Sequence, residues 1–246
     1  MKQRDNFRKQ RLAVIGCLIF LLLFPGGLVV NTEKAETKEI ISSVVREDCG
    51  TKTEILQEVN EAELLKAQLM ANKLPAGTAA SKVYSNEYEY IGCLGSAEWR
   101  GEIMEGQISG FATVFNRIES PEFPNSPYEV ISQRNPRQFS PVGDNGLIYY
   151  GEGSMVTIDM VPEKTLEALD RAIAGEDPTE QLLKLATDAK IQELQEEGKT
   201  LKLEYNAYWE GGALFFMTPA AFKSFEDNVA VYITIDGHVF FRAWSL

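Results

Sequence analysis

Three glutamates lie close together in the segment SAEWRGEIMEGQ, residues 96–107: Glu98, Glu102 and Glu105. On one continuous helix, their spacings of four and three residues would place them on the same face, where their charges would repel each other. Gly101 interrupts that helix, so we predict a helix end, a turn and a helix start. Glu105 then lies in the first turn of the second helix, where a negative charge is favourable, and Glu102 lies in a solvated turn.

Glu98 differs from the other two glutamates because the helix before it carries apolar residues at helical spacing, namely Tyr90, Ile91, Leu94 and Ala97. Burial beside them would disfavour the ionised carboxylate and raise the pKa of Glu98. A carboxyl group that stays protonated near neutral pH can donate its proton to a leaving glycosidic oxygen. Glu98 is therefore our candidate general acid, although most helix glutamates are solvated.

Other kinds of chemistry find less support in the residues. The chain has one histidine, His238, and three cysteines, too few at workable spacing for a zinc site, so we expect neither a metal nor another cofactor. It contains no glycine-rich phosphate loop with the required flanks and no nucleophile elbow. A Cys93–His238 pair remains the alternative, as the nucleophilic site of a peptidase or amidase. Cys49 and Cys93 would form a disulfide in an exported compartment or remain free thiols.

The charge distribution bears on partners and location. The net charge of −12 argues against nucleic acid, because no basic stripe is available to neutralise phosphates. Residues 1–11 are basic, and residues 12–30 carry no charge. That apolar segment would span about 28 Å as a helix, close to the hydrocarbon thickness of a bilayer. We predict a single-pass anchor in the cytoplasmic membrane with the rest of the chain outside, or an exported protein if residues 1–30 are cleaved.

The remaining chain mixes helix and strand signals. Residues 31–84 are polar, with a loose helical pattern, and we interpret them as a spacer before a domain at 85–246. Within that domain we predict an α+β fold. Its expected elements are helices on either side of Gly101, a long irregular surface segment over 127–154, a helix that stops at Gly175, a second over 179–197, a strand in GGALFFM, and a hairpin at Asp236-Gly237.

The segment AEWRGEIMEGQISGFATVFNRIESPEFPNSPYEVI resembles the opening of the SleB-type cell wall hydrolase family, which includes spore cortex-lytic enzymes. The family pattern is E-A-x-G-E, two residues, E-G-Q, a small apolar helix, N-R-V and F-P. QFSPVGDNG, AIAGEDP, GGALFF and DGHVFF resemble later family elements in the same order. The matching residues of the opening are Glu98, Gly101, Glu102, Glu105, Gly106, Gln107, Asn116, Arg117, Phe123 and Pro124.

The resemblance implies a lysozyme-like, lytic transglycosylase-like catalytic domain acting on peptidoglycan glycan strands. Members cut the β-1,4 bond between N-acetylmuramic acid and N-acetylglucosamine, and the family's catalytic glutamate maps onto Glu98. Candidate residues for the sugar groove are Gln138, Phe139, Ser140 and His238, for which structural support is the competing interpretation. A non-catalytic wall-binding protein is a further alternative.

Two departures from the family pattern stand out. Trp99 replaces the small residue that usually follows the glutamate, so the local packing must differ. About thirty residues, including the helix predicted at 179–197, are inserted between GEDP and GGALFF. That helix would cap the groove, bind a partner, or pack as a surface addition.

Overall fold

The computed structural model describes residues 61–151, 153–200 and 211–243. The predicted basic segment 1–11, the predicted anchor 12–30 and Cys49 lie outside the described residues. Within the described residues, no helix has both the length and the apolar character needed to cross a membrane.

Helices dominate the described part of the chain, and two small antiparallel sheets accompany them. The helices are α1 (Glu61–Ala71), α2 (Glu87–Glu98), α3 (Met104–Glu119), α4 (Pro127–Ser132), α5 (Glu163–Ile173), α6 (Pro178–Glu196) and α7 (Pro219–Phe222). The strands are β1 (Tyr149–Tyr150), β2 (Ser154–Met155), β3 (Phe215–Met217), β4 (Tyr232–Ile235) and β5 (His238–Phe241). The prediction of a mixed helix and sheet fold is thus confirmed.

Local signals account for most helix limits. The side chain of Asn86 caps α2 by accepting from the backbone N–H of Glu89, and the side chain of Asp177 caps α6 by accepting from that of Thr179. The helices α5 and α6 are followed by Gly175 and Gly198, whose φ angles of +90° and +68° suit glycine. The predicted stop at Gly175 is confirmed, and the helix predicted over 179–197 is observed as Pro178–Glu196.

The larger sheet has the strand order β3-β5-β4, with both pairings antiparallel. The turn between β4 and β5 is Asp236-Gly237, as predicted, and Asp236 adopts a positive φ of 48°. All four residues of the central strand β5 are buried. The smaller sheet is the short β1–β2 pair.

The main core forms where α2, α3 and α5 pack together. Part of the region predicted as a spacer, residues 61–84, also contributes to it. Leu69, Leu74, Ala80 and Tyr84 are buried in the same cluster as Leu94. The described part of that region therefore packs against the domain instead of extending away from it.

Residues 127–154 differ from the irregular surface segment predicted for them. They begin with α4 and end in the β1–β2 pair. The segment also carries buried apolar side chains: Val130, Ile131, Phe139, Val142 and Ile148. Turn residues separate these apolar positions at irregular intervals, so no helix or strand period reveals that they point inward.

The inserted helix α6 is attached to the fold near its N-terminus, where Thr179 and Leu183 are buried. Leu183 packs with Ala213, Ile235 and Phe240 of the sheet region. Leu182 and Leu185 are exposed. Its predicted role as a groove cap or a partner-binding element stays a prediction.

Candidate functional site

Glu98 is the last residue of α2, and the chain turns through residues 99–103 before α3 begins. The Glu98 side chain is half-buried, and its Oε1 accepts the backbone N–H of Ser140 at 3.1 Å. Burial raises its pKa to about 7, while hydrogen bonding from Ser140 and the charge of Arg117 act in the opposite direction. Both forms of the carboxyl group are thus accessible near neutral pH.

The three consecutive candidates Gln138, Phe139 and Ser140 have different surroundings. Ser140 reaches Glu98 through its backbone. Phe139 is buried, with its ring centroid 6.4 Å from that of Trp99 and 6.0 Å from that of Phe216. The side-chain amide of Gln138 donates to the carbonyl oxygen of Pro136 at 3.2 Å. The structure therefore brings Ser140 to Glu98, and Phe139 serves the packing behind it.

Trp99, the departure from the family pattern, is fully buried directly after Glu98. Its ring makes edge contacts with Phe111 and Phe216 at centroid distances of 5.1 and 5.5 Å. Gly110 of α3 leaves the space that this ring occupies, because a Cβ atom there would collide with the indole. The large residue is accommodated by a glycine on the facing helix.

Glu102 is not the solvated turn residue predicted from the sequence. Its side chain is 16 % exposed, and its Oε2 accepts the backbone N–H of Gly237 at 2.8 Å. In return, Asp236 accepts the backbone N–H of Ile103 at 2.8 Å. These two bonds join the turn after Glu98 to the β4–β5 hairpin, and the sequence misses them because the partners are 135 and 133 residues apart. Glu105, by contrast, is exposed in the first turn of α3, as predicted.

His238, the remaining candidate, is buried at the start of β5. Its Nδ1 lies 3.5 Å from Oε1 of Glu102, and its ring meets the ring of Phe216 edge-on at 5.4 Å. Phe216 also contacts Phe139 and Trp99. His238 therefore reaches the Glu98 neighbourhood through Glu102 and the aromatic cluster, and no direct contact with Glu98 is seen.

Replacing Glu102 with alanine tests the connection between the turn and the hairpin. We expect Glu102→Ala to lower the free energy of unfolding by about 1–2 kcal/mol, because the charged acceptor of the Gly237 N–H is lost. Urea denaturation followed by circular dichroism measures the change. Glu105→Ala is the matched control and should stay within about 0.5 kcal/mol of wild type, as an exposed substitution. Equal losses in the two variants would contradict this role of Glu102.

Three motif elements of the sequence meet at one hydrogen-bonded junction behind the site. The side-chain amide of Asn116 donates to Oδ2 of Asp177 at 2.8 Å and to the carbonyl oxygen of Ala213 at 3.1 Å. The hydroxyl of Thr179 donates to Oδ1 of Asp177 and accepts the backbone N–H of Ala213. A Cβ atom at Gly212 would collide with Asp177. The N-R, G-x-D-P and G-G-A elements thus hold in place the chain that leads into β3.

Arg117, the residue after Asn116, interacts both with the chain next to this junction and with Glu98. Its Nε donates to the carbonyl oxygen of Leu214 at 2.7 Å, and its charge acts on Glu98. A signal for its burial is present in the sequence, because Arg117 follows Gly110, Thr113 and Val114 by seven, four and three residues on the buried face of α3. Its proximity to the site was nevertheless not predicted from the sequence.

Cys93, the nucleophile of the alternative reading, is a fully buried free thiol on α2. Burial is the main reason that its pKa rises to about 12, and the nearby charges of Glu89 and Asp159 add to the effect. A reactive cysteine needs the opposite environment, electropositive and accessible. This setting disfavours a Cys93–His238 catalytic pair.

A metal centre finds no support in the part of the chain that the structure describes. Within residues 61–151, 153–200 and 211–243, no group of three or more His, Cys, Asp or Glu side chains is placed to hold an ion.

Comparisons with known proteins found similarity to cell wall hydrolases. Residues 101–208 match the family model described as Cell Wall Hydrolase, and Glu98 lies just before the matched range. The chain is 35% identical over 123 residues to the spore cortex-lytic enzyme of Bacillus subtilis (strain 168). That match covers 50% of this chain and 34% of the relative, so the chain spans about a third of the relative's length.

Two solved structures are also similar to this chain. They are the catalytic domain of the Bacillus cereus SleB protein and the catalytic domain of the germination-specific lytic transglycosylase SleB from Bacillus anthracis. Each is 25% identical with a TM-score of 0.41 and covers 68% of this chain, and the matches cover 94% and 98% of the solved chains. On the ordered motifs and the sequence matches, the chain is similar to the SleB-type cell wall hydrolases.

Proposed function

We propose that this chain is a peptidoglycan hydrolase that cleaves the β-1,4 bond between N-acetylmuramic acid and N-acetylglucosamine as a lytic transglycosylase, on a lysozyme-like catalytic domain. The observation that carries the proposal is the setting of Glu98: a half-buried carboxyl group with a pKa near 7 that accepts a backbone N–H from Ser140. The match of residues 101–208 to the cell wall hydrolase family model supports the substrate class.

In the first half of the reaction, protonated Glu98 gives its proton to the glycosidic oxygen as the bond from that oxygen to C1 of the muramic acid breaks. Burial serves this step, because a desolvated carboxyl group holds its proton near neutral pH. The leaving N-acetylglucosamine receives the proton as a new hydroxyl group. Positive charge then develops on the muramic acid ring.

In the second half, ionised Glu98 takes the proton from the 6-hydroxyl of the same muramic acid while that oxygen bonds to C1. The product is a 1,6-anhydro sugar, no water is consumed, and Glu98 recovers its proton. The Ser140 N–H favours the ionised form during this half. One carboxyl group therefore serves both steps, whereas retaining and inverting hydrolysis use two.

The products distinguish this reaction from its alternatives. We expect digestion of purified peptidoglycan to give anhydro-muramic products in mass spectrometry, because the 6-hydroxyl replaces water as the attacking group. Products that end in reducing muramic acid, without anhydro sugars, would contradict the transglycosylase mechanism. They would indicate a glycosidase that uses water. Released peptides would indicate a peptidase or amidase, and binding without cleavage would indicate a non-catalytic wall-binding protein.

The proposed location is the outer side of the cytoplasmic membrane. The basic residues 1–11 and the uncharged residues 12–30 support a single-pass anchor with the catalytic domain outside. Recovery of the chain in a membrane fraction resistant to alkaline extraction would support the anchor. A soluble exported product shortened at its N-terminus would show that the segment is cleaved instead.

A further inference from the structure

Arg117 is a buried cation with an unusual set of neighbours. Its side chain is 2 % exposed, although the residue is near the end of an amphipathic helix. Three phenylalanine rings surround the guanidinium, with Cζ 5.2 Å from the ring centroid of Phe123, 5.0 Å from that of Phe139 and 5.7 Å from that of Phe215. Such rings offer a cation their electron-rich faces.

The hydrogen bonding of Arg117 is incomplete. Its Nε donates to the carbonyl oxygen of Leu214, but its buried Nη1 has no partner among the described residues. No carboxylate of the described part of the chain lies within ion-pair distance of the guanidinium. Burial lowers the pKa of Arg117 to about 9, and the charge of Glu98 acts against that decrease. A buried cation without a salt bridge is costly, so its retention here needs a reason.

Two links connect this cation to Glu98. Phe139 packs against the guanidinium, and the next residue, Ser140, donates its backbone N–H to the Glu98 carboxylate. The second link is electrostatic, because the positive charge of Arg117 lowers the pKa of Glu98 against the effect of burial.

The other charged groups near this turn are engaged elsewhere. Arg100 lies with its guanidinium 4.2 Å from the ring centroid of Tyr150 and donates to the carbonyl oxygen of Ser96. Glu102 is held by the β4–β5 hairpin beside His238. Lys164 donates to the backbone carbonyl of Glu102. Arg117 is the charged group whose field lowers the pKa of Glu98.

We propose that Arg117 is a positioning residue for Glu98: its guanidinium packs on Phe139 and so supports the segment in which the backbone N–H of Ser140 donates to the Glu98 carboxylate. The catalytic consequence of this positioning rests on the proposed function. Burial alone would favour protonated Glu98, which is the proton donor of the first half-reaction. The charge of Arg117 keeps ionised Glu98, the proton acceptor of the second half, accessible as well.

Neutral and charged replacements of Arg117 test the proposal. In Arg117→Met and in Arg117→Gln, we expect the Glu98 pKa to rise by about one unit, because an opposite charge is removed. Arg117→Lys keeps the charge and should restore most of the wild-type value. Arg171→Met is the control, since Arg171 lies on α5 in a surface ion pair with Glu176. Carbon-13 NMR of side-chain-labelled glutamate, assigned with Glu98→Gln, measures the titration.

The pH dependence of cleavage should shift together with the pKa of Glu98. The alkaline limb of kcat/KM shifts to higher pH by the same amount in the neutral variants, because the proton donor persists to higher pH. The maximal rate falls by up to about tenfold, because a pKa one unit higher makes protonated Glu98 a weaker acid towards the leaving glycosidic oxygen. If Arg117 had only a structural role, its replacement would lower the amount of folded enzyme without shifting the alkaline limb of kcat/KM.

Three results separate the possibilities. An unchanged Glu98 pKa in a folded neutral variant would overturn the proposal. If neither neutral variant folds, Glu98→Gln gives the reciprocal measurement. Removing the carboxylate should shift the NMR resonance of the Arg117 Nε–H group, and an unshifted resonance would equally overturn the proposal. Cleavage retained in Glu98→Gln would remove the proposed function while the charge coupling stayed measurable.

Discussion

Glu98→Gln is expected to reduce cleavage of peptidoglycan by about 10³-fold or more, since the only proton donor and acceptor of the proposed reaction is removed. Glutamine matches the shape of glutamate and can still accept the Ser140 N–H, so the geometry at the end of α2 is preserved. The measurement is the release of soluble muropeptides from purified peptidoglycan by wild type and variant under identical conditions. Activity within tenfold of wild type would rule out Glu98 as the acid/base.

A stability control tests whether this loss arises from unfolding. The pKa of Glu98 is raised from 4.5 to about 7 in the folded state, so the folded state holds the proton more tightly than the unfolded state. The stability from this group is present below pH 4.5 and is lost as pH rises through about 7. At pH 8 the ionised carboxylate costs free energy that Glu98→Gln does not incur. The variant should therefore unfold at a temperature equal to or above that of wild type at pH 8.

Two matched variants sharpen the same experiment. Glu105→Gln changes an exposed glutamate seven residues away and should leave the rate unchanged, because Glu105 occupies the first turn of α3 in solvent. Cys93→Ala should also retain cleavage, because the thiol is buried and its pKa is far above neutral. Loss of activity in Cys93→Ala with the fold intact would revive the peptidase or amidase alternative.

Local chemistry explains why the helix limits around the site were predictable. The Asn86 cap, the break at Gly101 and the stop at Gly175 each act within a few residues, so their effect is present in any short window of sequence. The Asp236-Gly237 turn fixes its hairpin in the same local way. The position of Glu98 at the end of an apolar helix followed from those signals, and the family resemblance supplied its proposed role.

The partners of the site residues could not be predicted because they are distant in sequence. Ser140 reaches Glu98 from 42 residues away, and the hairpin reaches Glu102 from more than 130. Such contacts depend on how α2, α3 and the larger sheet pack, which no local period encodes. The prediction of a solvated Glu102 failed for this reason: a turn residue is exposed by default until another element covers it.

Trp99→Ala is expected to have the largest effect on stability, a loss of about 3–5 kcal/mol in the free energy of unfolding. The indole is fully buried and joins α2 to the aromatic side chains of Phe111, Phe139 and Phe216. Removing it leaves a cavity beside Glu98 that the rigid rings cannot fill. Urea denaturation followed by circular dichroism measures the loss, and a change below about 1 kcal/mol would show that the indole is dispensable.

Gly110 supplies the sharper form of this test, because the indole occupies the space that a side chain at position 110 would need. Gly110→Ala alone should destabilise the fold through collision with the ring. In Trp99→Ala/Gly110→Ala the added methyl group enters the cavity, so the double variant should lose less stability than the sum of the two single variants. Trp99→Phe keeps a ring and removes the indole Nε1, which has no hydrogen-bond partner among the described residues, so its loss should be smaller than that of Trp99→Ala. Strictly additive losses would mean that Gly110 does not make room for Trp99, and that the family departure after Glu98 is accommodated elsewhere.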